Sequence, residues 1–179
     1  MNKIKTLTIG ISAYNEEQNI KRLLTILLKQ KYKNVLLNSI IVISDGSTDN
    51  TVKIAKTIKS KKIFVIDNNI REGAMQRQNE ILKMTNSEIL ILLDADVLPI
   101  GTNFVEKLVK PICMYKDIGI VGADTKCISG KGLFEKIIVN SHEFKKVCIK
   151  KYIMETIYIF VMEEHVHFLK HFIKILLGL

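Results

Sequence analysis

Residues 89–99 read ILILLDADVLP: five apolar residues, two aspartates one residue apart, and an apolar exit. An apolar run of this kind marks a strand buried on both faces, and Asp94 and Asp96 stand where the chain must leave the core. The same pattern recurs upstream. LTIGISA (7–13) runs into Tyr14-Asn15-Glu16, SIIVIS (39–44) into Asp45-Gly46-Ser47, and KIFVID (62–67) into Asn68-Asn69. Between these runs the apolar spacing turns helical. Ile20, Leu23, Leu24, Leu27 and Leu28 share one helix face, with Asn15 and Gln18 spaced as a capping box before them. Val52, Ala55 and Ile58 mark a second helix, residues 73–85 a third, and Phe104, Val105, Leu108, Val109 and Ile112 a fourth. IGIVGA (118–123) reads as a fifth strand. Strands alternating with helices predict an α/β fold, with a mostly parallel central sheet covered by helices on both faces. In such a sheet the polar loops after the strands lie side by side along the carboxyl edge, where ligands bind.

The two aspartates at that edge pose a charge problem. Spaced i, i+2 in extended chain, Asp94 and Asp96 point to the same side. Two nearby carboxylates repel, and one takes up a proton unless a cation neutralises the pair. A hard divalent ion, Mn²⁺ or Mg²⁺, suits oxygen ligands and fills its remaining positions with water and phosphate oxygens. The competing reading is local: Asp94 caps the next segment and Asp96 is solvated.

Composition narrows the classes. The 179 residues are 47% hydrophobic and 25% charged, with a formal net charge of +9, which favours anionic partners without choosing among them. A lysine-rich chain also acquires that charge with no anionic partner at all. Cys113, Cys127 and Cys148 form no C-x-x-C pair, so neither a zinc ribbon nor a disulfide framework is expected. The N-terminal run is short and alternating, a strand rather than a signal peptide. No stretch approaches the roughly 18 uninterrupted apolar residues of a membrane span. These features point to a cytoplasmic protein, at most in contact with the inner membrane surface. G-x-G-x-x-G and G-x-x-x-x-G-K-[ST] are both absent, which excludes a dinucleotide dehydrogenase and a P-loop NTPase. No stacking-aromatic or helix-turn-helix pattern supports nucleic-acid binding.

Taken in order, ISAYNEEQNI, VISDGSTDNT, EGAMQRQNEIL and ILILLDADVLP resemble the family-2 glycosyltransferases of GT-A fold. The resemblance covers roughly residues 5–125 and implies a nucleoside-diphosphate sugar as donor, a UDP-sugar being favoured. By this resemblance Ala13, Tyr14 and Glu16 line the nucleoside pocket, and Asp45 accepts a hydrogen bond from the base. Gly46 lets the backbone approach closely, while Arg77 and Asn79 lie near the donor, a surface arginine on an amphipathic helix being the competing reading for Arg77. Asp96 looks like the metal ligand, with Asp94 nearer the ribose. Ser47, Thr48 and Asp49 read better as turn and helix-cap residues. The resemblance further implies inversion at the anomeric carbon, with the metal offsetting charge on the departing diphosphate.

The sequence departs from the family pattern in places. Ser12 stands where proline is usual, Ser44 where a first aspartate is frequent, and Ile81 where glycine is common. No Glu-Asp pair follows Asp96 to serve as general base. Glu163 and Glu164 are the only adjacent acidic pair there, and a solvated patch on a terminal helix is the competing reading for them. His165, His167 and His171 read as polar-face or interface residues. Residues 126–179 are expected to be helical and amphipathic, an appendage to a core of residues 1–125 that covers the sheet or touches a membrane surface. Two functions remain open. One is a short transferase acting on an unidentified acceptor, and the other a truncated or degenerate nucleotide-sugar-binding module without efficient transfer.

Overall fold

The computed structural model describes residues 4–115, 117–123 and 158–161. In chain order these form β1 (Lys5–Ala13), α1 (Ile20–Leu28), β2 (Val35–Asp45), α2 (Thr51–Lys56), β3 (Ile63–Asn68), α3 (Ala74–Met84), β4 (Ile89–Asp94), α4 (Phe104–Met114), β5 (Ile120–Gly122) and β6 (Tyr158–Val161). They assemble one sheet in the order β3-β2-β1-β4-β6-β5. The first four strands are mutually parallel, and β6 runs antiparallel between β4 and β5.

The chain steps outward from β1 to β2 to β3, then returns to the other side of β1 for β4. That reversal opens a crevice beyond the carboxyl ends of β1 and β4. In the register of this pair Ser12 lies opposite Asp94. The D-x-D motif therefore leaves the sheet at its topological switch point.

Alternation along the strands assigns the two faces. Leu7, Ile9 and Ile11 join Ile40, Val42, Ile89, Ile91 and Leu93 in the larger cluster, packed against Leu23 and Leu27 of α1, Ala55 of α2, and Val105, Val109 and Ile112 of α4. At about 1.5–3 kcal/mol per buried large apolar side chain, this face dominates the stability. The opposite face is smaller: Ile41, Ile43, Leu90 and Leu92 meet Ile81 of α3. There β1 offers Thr8, Gly10 and Ser12 instead of bulk. Thr8 Oγ1 shares hydrogen bonds with Ser39 Oγ (3.1 Å) and Ser87 Oγ (2.8 Å). A Cβ at Gly10 would lie 2.5 Å from Ile81 Cγ2, so the glycine is what lets α3 settle on the sheet. The isoleucine that departs from the family pattern fills the space over that glycine.

Three expectations change. The capping box at Asn15 and Gln18 is not formed; α1 starts later, with Asn19 at its N-cap, because Asn15 turns away to bond a neighbouring loop. β2 begins at Val35 rather than Ser39, since the run from 35 to 38 already alternates buried and exposed, a strand rhythm that Asn38 disguises. Residues 158–161, YIFV, lie in the segment read as helical but form β6, a β-favouring stretch whose backbone pairs antiparallel with β4. Segment 126–179 thus contributes a strand to the core sheet. Glu163, Glu164, the histidines around them, Cys127 and Cys148 lie outside the described residues.

Candidate functional site

The loops leaving β1 and β2 are stapled together by their own polar residues. Asn15 adopts a left-handed backbone (φ 54°), which asparagine tolerates better than most residues. Its Oδ1 accepts from the Thr48 N–H at 2.8 Å, and its own N–H donates to Ser47 Oγ at 3.2 Å. The Glu16 N–H donates to Thr51 Oγ1 at 2.7 Å, and the Glu17 N–H to Asp49 Oδ2 at 3.1 Å. Asp49, one position ahead of the N-cap Asn50, accepts through Oδ1 from the N–H of Thr51, the first residue of α2, at 2.9 Å. These contacts fix where Tyr14 and Glu16 emerge over the crevice. The Arg71 guanidinium carbon sits 3.8 Å above the Tyr14 ring centroid, within cation–π range.

A second cluster fixes the loop after β3. Asp45, 3% exposed, accepts from the N–H groups of Glu72 (2.8 Å) and Gly73 (2.9 Å) and from Arg77 Nε (2.9 Å). Burial alone would raise its pKa, but the hydrogen bonds from Glu72, Arg77 and Gly73 outweigh burial and hold the carboxyl below its usual range. A carboxylate offers roughly four lone-pair positions, so Asp45 retains capacity for one further N–H. Arg77, 2% exposed, engages all three guanidinium nitrogens: Nε on Asp45, Nη1 on Glu80, and Nη2 on the Ile70 carbonyl (2.7 Å) and Glu72 (2.8 Å). It is neither a surface arginine nor a side chain reaching into the crevice. Asn79, 9% exposed, lies on the same helix. Gly46 has φ +70°, and a Cβ there would lie 3.0 Å from the Arg71 nitrogen. The close approach it permits is therefore that of the chain's own residues 70–71.

At the switch point, Ser12 Oγ donates to Asp94 Oδ1 at 3.3 Å. Burial, then the charges of Asp96 and Glu16, push the Asp94 pKa up, and the Ser12 hydroxyl only partly opposes them. Three carboxylates within electrostatic reach of one another make a site that a hard cation would relieve. The oxygen donors of Asp94 and Asp96 fit Mg²⁺ or Mn²⁺, whose further ligands would be water or phosphate oxygens. Among the described residues, no group of three or more His, Cys, Asp or Glu side chains converges as a complete cage.

Comparison with known proteins brings this geometry together. The sequence model of glycosyl transferase family 2 matches residues 8–173. The chain belongs to that family. An Escherichia coli relative, the UDP-Glc:α-D-GlcNAc-diphosphoundecaprenol β-1,3-glucosyltransferase WfaP, is 36% identical over 93 residues, covering 52% of this chain and 36% of that protein. Among solved structures, the mannosyltransferase PcManGT from Pyrobaculum calidifontis, in complex with GDP-Man and Mn²⁺, superposes with a TM-score of 0.63 at 20% identity. That match covers 89% of this chain and 45% of the mannosyltransferase. Glucosyl-3-phosphoglycerate synthase from Mycobacterium tuberculosis, bound to UDP, gives 0.62 at 19% identity over 88% of this chain and 57% of that one. The chain thus has the GT-A fold of family-2 enzymes and spans about a third to a little over half the length of these relatives.

Within this family-2 fold, the loops carrying Ala13, Tyr14, Glu16, Asp45, Gly46, Asp94 and Asp96 all open on one edge, as the strand order requires. Sequence reading missed four participants. Ser12 was noted as a departure from proline, and its hydroxyl is what bonds Asp94. Glu80 was legible, since acid three residues after arginine on a helix is a pairing distance. Glu72 and Arg71 carried no local signal, because their partners lie on other loops.

Proposed function

We propose that this chain transfers a sugar, with inversion, from a nucleoside-diphosphate sugar to an acceptor hydroxyl, with a divalent cation bound at Asp96. The observation that carries this reading is the D-x-D pair leaving β4 at the switch point, with Ser12 bonded to Asp94 and Glu16 close enough to raise the Asp94 pKa. Asp96 is the metal ligand, and Asp94, held by Ser12, faces the ribose side. When bound, the cation offsets the charge that develops on the departing diphosphate.

The chain's own residues do the rest. Tyr14 lines the nucleoside pocket, with the Arg71 guanidinium stacked on its ring. Asp45 holds one acceptor position for a base N–H, which favours uracil, whose imide is a donor. Ala13, Gly46 and Asn79 complete the donor side. WfaP, by its name, takes UDP-Glc and a diphosphoundecaprenol-linked acceptor. That relative and the positive net charge support a lipid-linked acceptor met at the cytoplasmic face of the membrane. Among the described residues no helix is long and apolar enough to cross a membrane.

Titrating Mn²⁺ against the chain with UDP, and reading free Mn²⁺ by electron paramagnetic resonance, tests the reading. UDP-dependent uptake by the native chain and its loss in Asp96→Asn are expected. Equal uptake by both would contradict the ligand assignment.

A further inference from the structure

We propose that Arg77 and Glu80 are positioning residues that latch the segment 70–73 in place as one wall of the nucleoside side of the cleft. The inference deepens the donor-binding reading above and rests on it for its consequence.

The latch is continuous from helix to cleft. Glu80 Oε1 accepts from Arg77 Nη1 while its Oε2 accepts from Asn68 Nδ2 at 3.2 Å, joining α3 to the end of β3. The Asn68 carbonyl accepts from the Gly46 N–H at 2.9 Å, which ties in the turn after β2. Arg77 then divides its fork between Asp45 and the Ile70 carbonyl. Asp45 in turn holds the Glu72 and Gly73 N–H groups. Arg71 lies between these anchors, and its guanidinium rests on Tyr14. Segment 70–73 lies outside helix and strand; the Gly73 carbonyl caps α3 by accepting from the Gln76 and Arg77 N–H groups, while Ile70, Glu72 and the Gly73 N–H are held by these side chains.

Two features separate positioning from direct contact. Arg77 is buried and every nitrogen of its guanidinium is engaged. The planar fork reaches four acceptors, on Asp45, Glu80, Ile70 and Glu72, in fixed directions, a task that lysine with one nitrogen cannot perform. What the latch delivers is a wall formed before the nucleotide arrives, sparing the ordering cost that a loose loop would incur on binding.

The test pairs amide hydrogen exchange with nucleotide affinity in Arg77→Lys and Glu80→Gln. The Glu80 side chain is 29% exposed, so Glu80→Gln carries the test if Arg77→Lys does not fold. Both variants should speed exchange at Glu72 and Gly73 while β1 and β4 amides keep native protection. Affinity for UDP with Mn²⁺ should fall by about tenfold, the scale of a lost bond to a charged group. Affinity for inorganic diphosphate with Mn²⁺ should stay native, and in a transfer assay the loss should fall on KM rather than kcat. Unchanged exchange at Glu72 and Gly73 overturns the latch. Faster exchange with native UDP affinity overturns its role in donor binding. A native chain with protected Glu72 and Gly73 amides that binds no UDP overturns the donor reading while leaving the latch in place.

Discussion

Replacing Asp45 with asparagine puts the buried cluster to its most demanding test. The substitution keeps the shape but exchanges one acceptor oxygen for an NH₂ group. Asp45 now meets three donors, from Glu72, Gly73 and Arg77, with side-chain exposures of 5% for Asp45 and 3% for Arg77. In Asp45→Asn at least one donor faces another donor, and the guanidinium loses a charged partner inside the protein. Removing one member of a buried, hydrogen-bonded pair costs about 3–5 kcal/mol. For a chain of this size that corresponds to a fall in Tm of about 6–20 °C. Urea denaturation at neutral pH measures it directly, with the midpoint falling and the slope held.

The pH dependence supplies a second reading of the same variant. The Asp45 carboxyl is held below its ordinary value, so its stabilisation is present above the unfolded pKa and disappears as pH falls through the folded one. The gap between native and Asp45→Asn should be full at neutral pH and close in strong acid, below about pH 4. A neutral-pH loss under about 1 kcal/mol, the net worth of one ordinary hydrogen bond, would refute the reasoning.

Two further outcomes are expected. Gly10→Ala should destabilise by about 1–3 kcal/mol through overpacking against Ile81, and Gly10→Ala with Ile81→Ala should recover part of that loss in a double-mutant cycle. Mn²⁺ with UDP at about a hundredfold over Kd should stabilise by roughly 2.7 kcal/mol in thermal melts. Because burial and the charges of Asp96 and Glu16 raise the Asp94 pKa, its charged form costs stability that is regained as pH falls through the raised pKa. Protons therefore compete with the cation, and the gain in Tm should be larger at neutral pH than in acid.

The strand ends were legible in the sequence because each apolar run stops at a polar cluster, and a parallel sheet brings such stops to one edge. ILILLD and SIIVIS needed no more than their hydrophobicity and β-branching. What could not be read were partnerships between loops. Asn15 resembles a helix cap in sequence, yet it serves the loop that carries Ser47 and Thr48, 32 and 33 residues away in the chain. Arg77 looks like a helix-surface arginine until Asp45 and the Ile70 carbonyl are brought beside it. The strand at residues 158–161 was hidden for a different reason. YIFV is ambiguous between helix and strand, and pairing with β4, far away in sequence, decides it.

A calorimetric titration of the chain with UDP, GDP, dTDP and CDP, each with and without Mn²⁺, tests nucleotide-sugar use most directly. Saturable, Mn²⁺-dependent heat with UDP, and weaker heat with the others, is the predicted result. No heat from any of the four, from a folded chain, would contradict it.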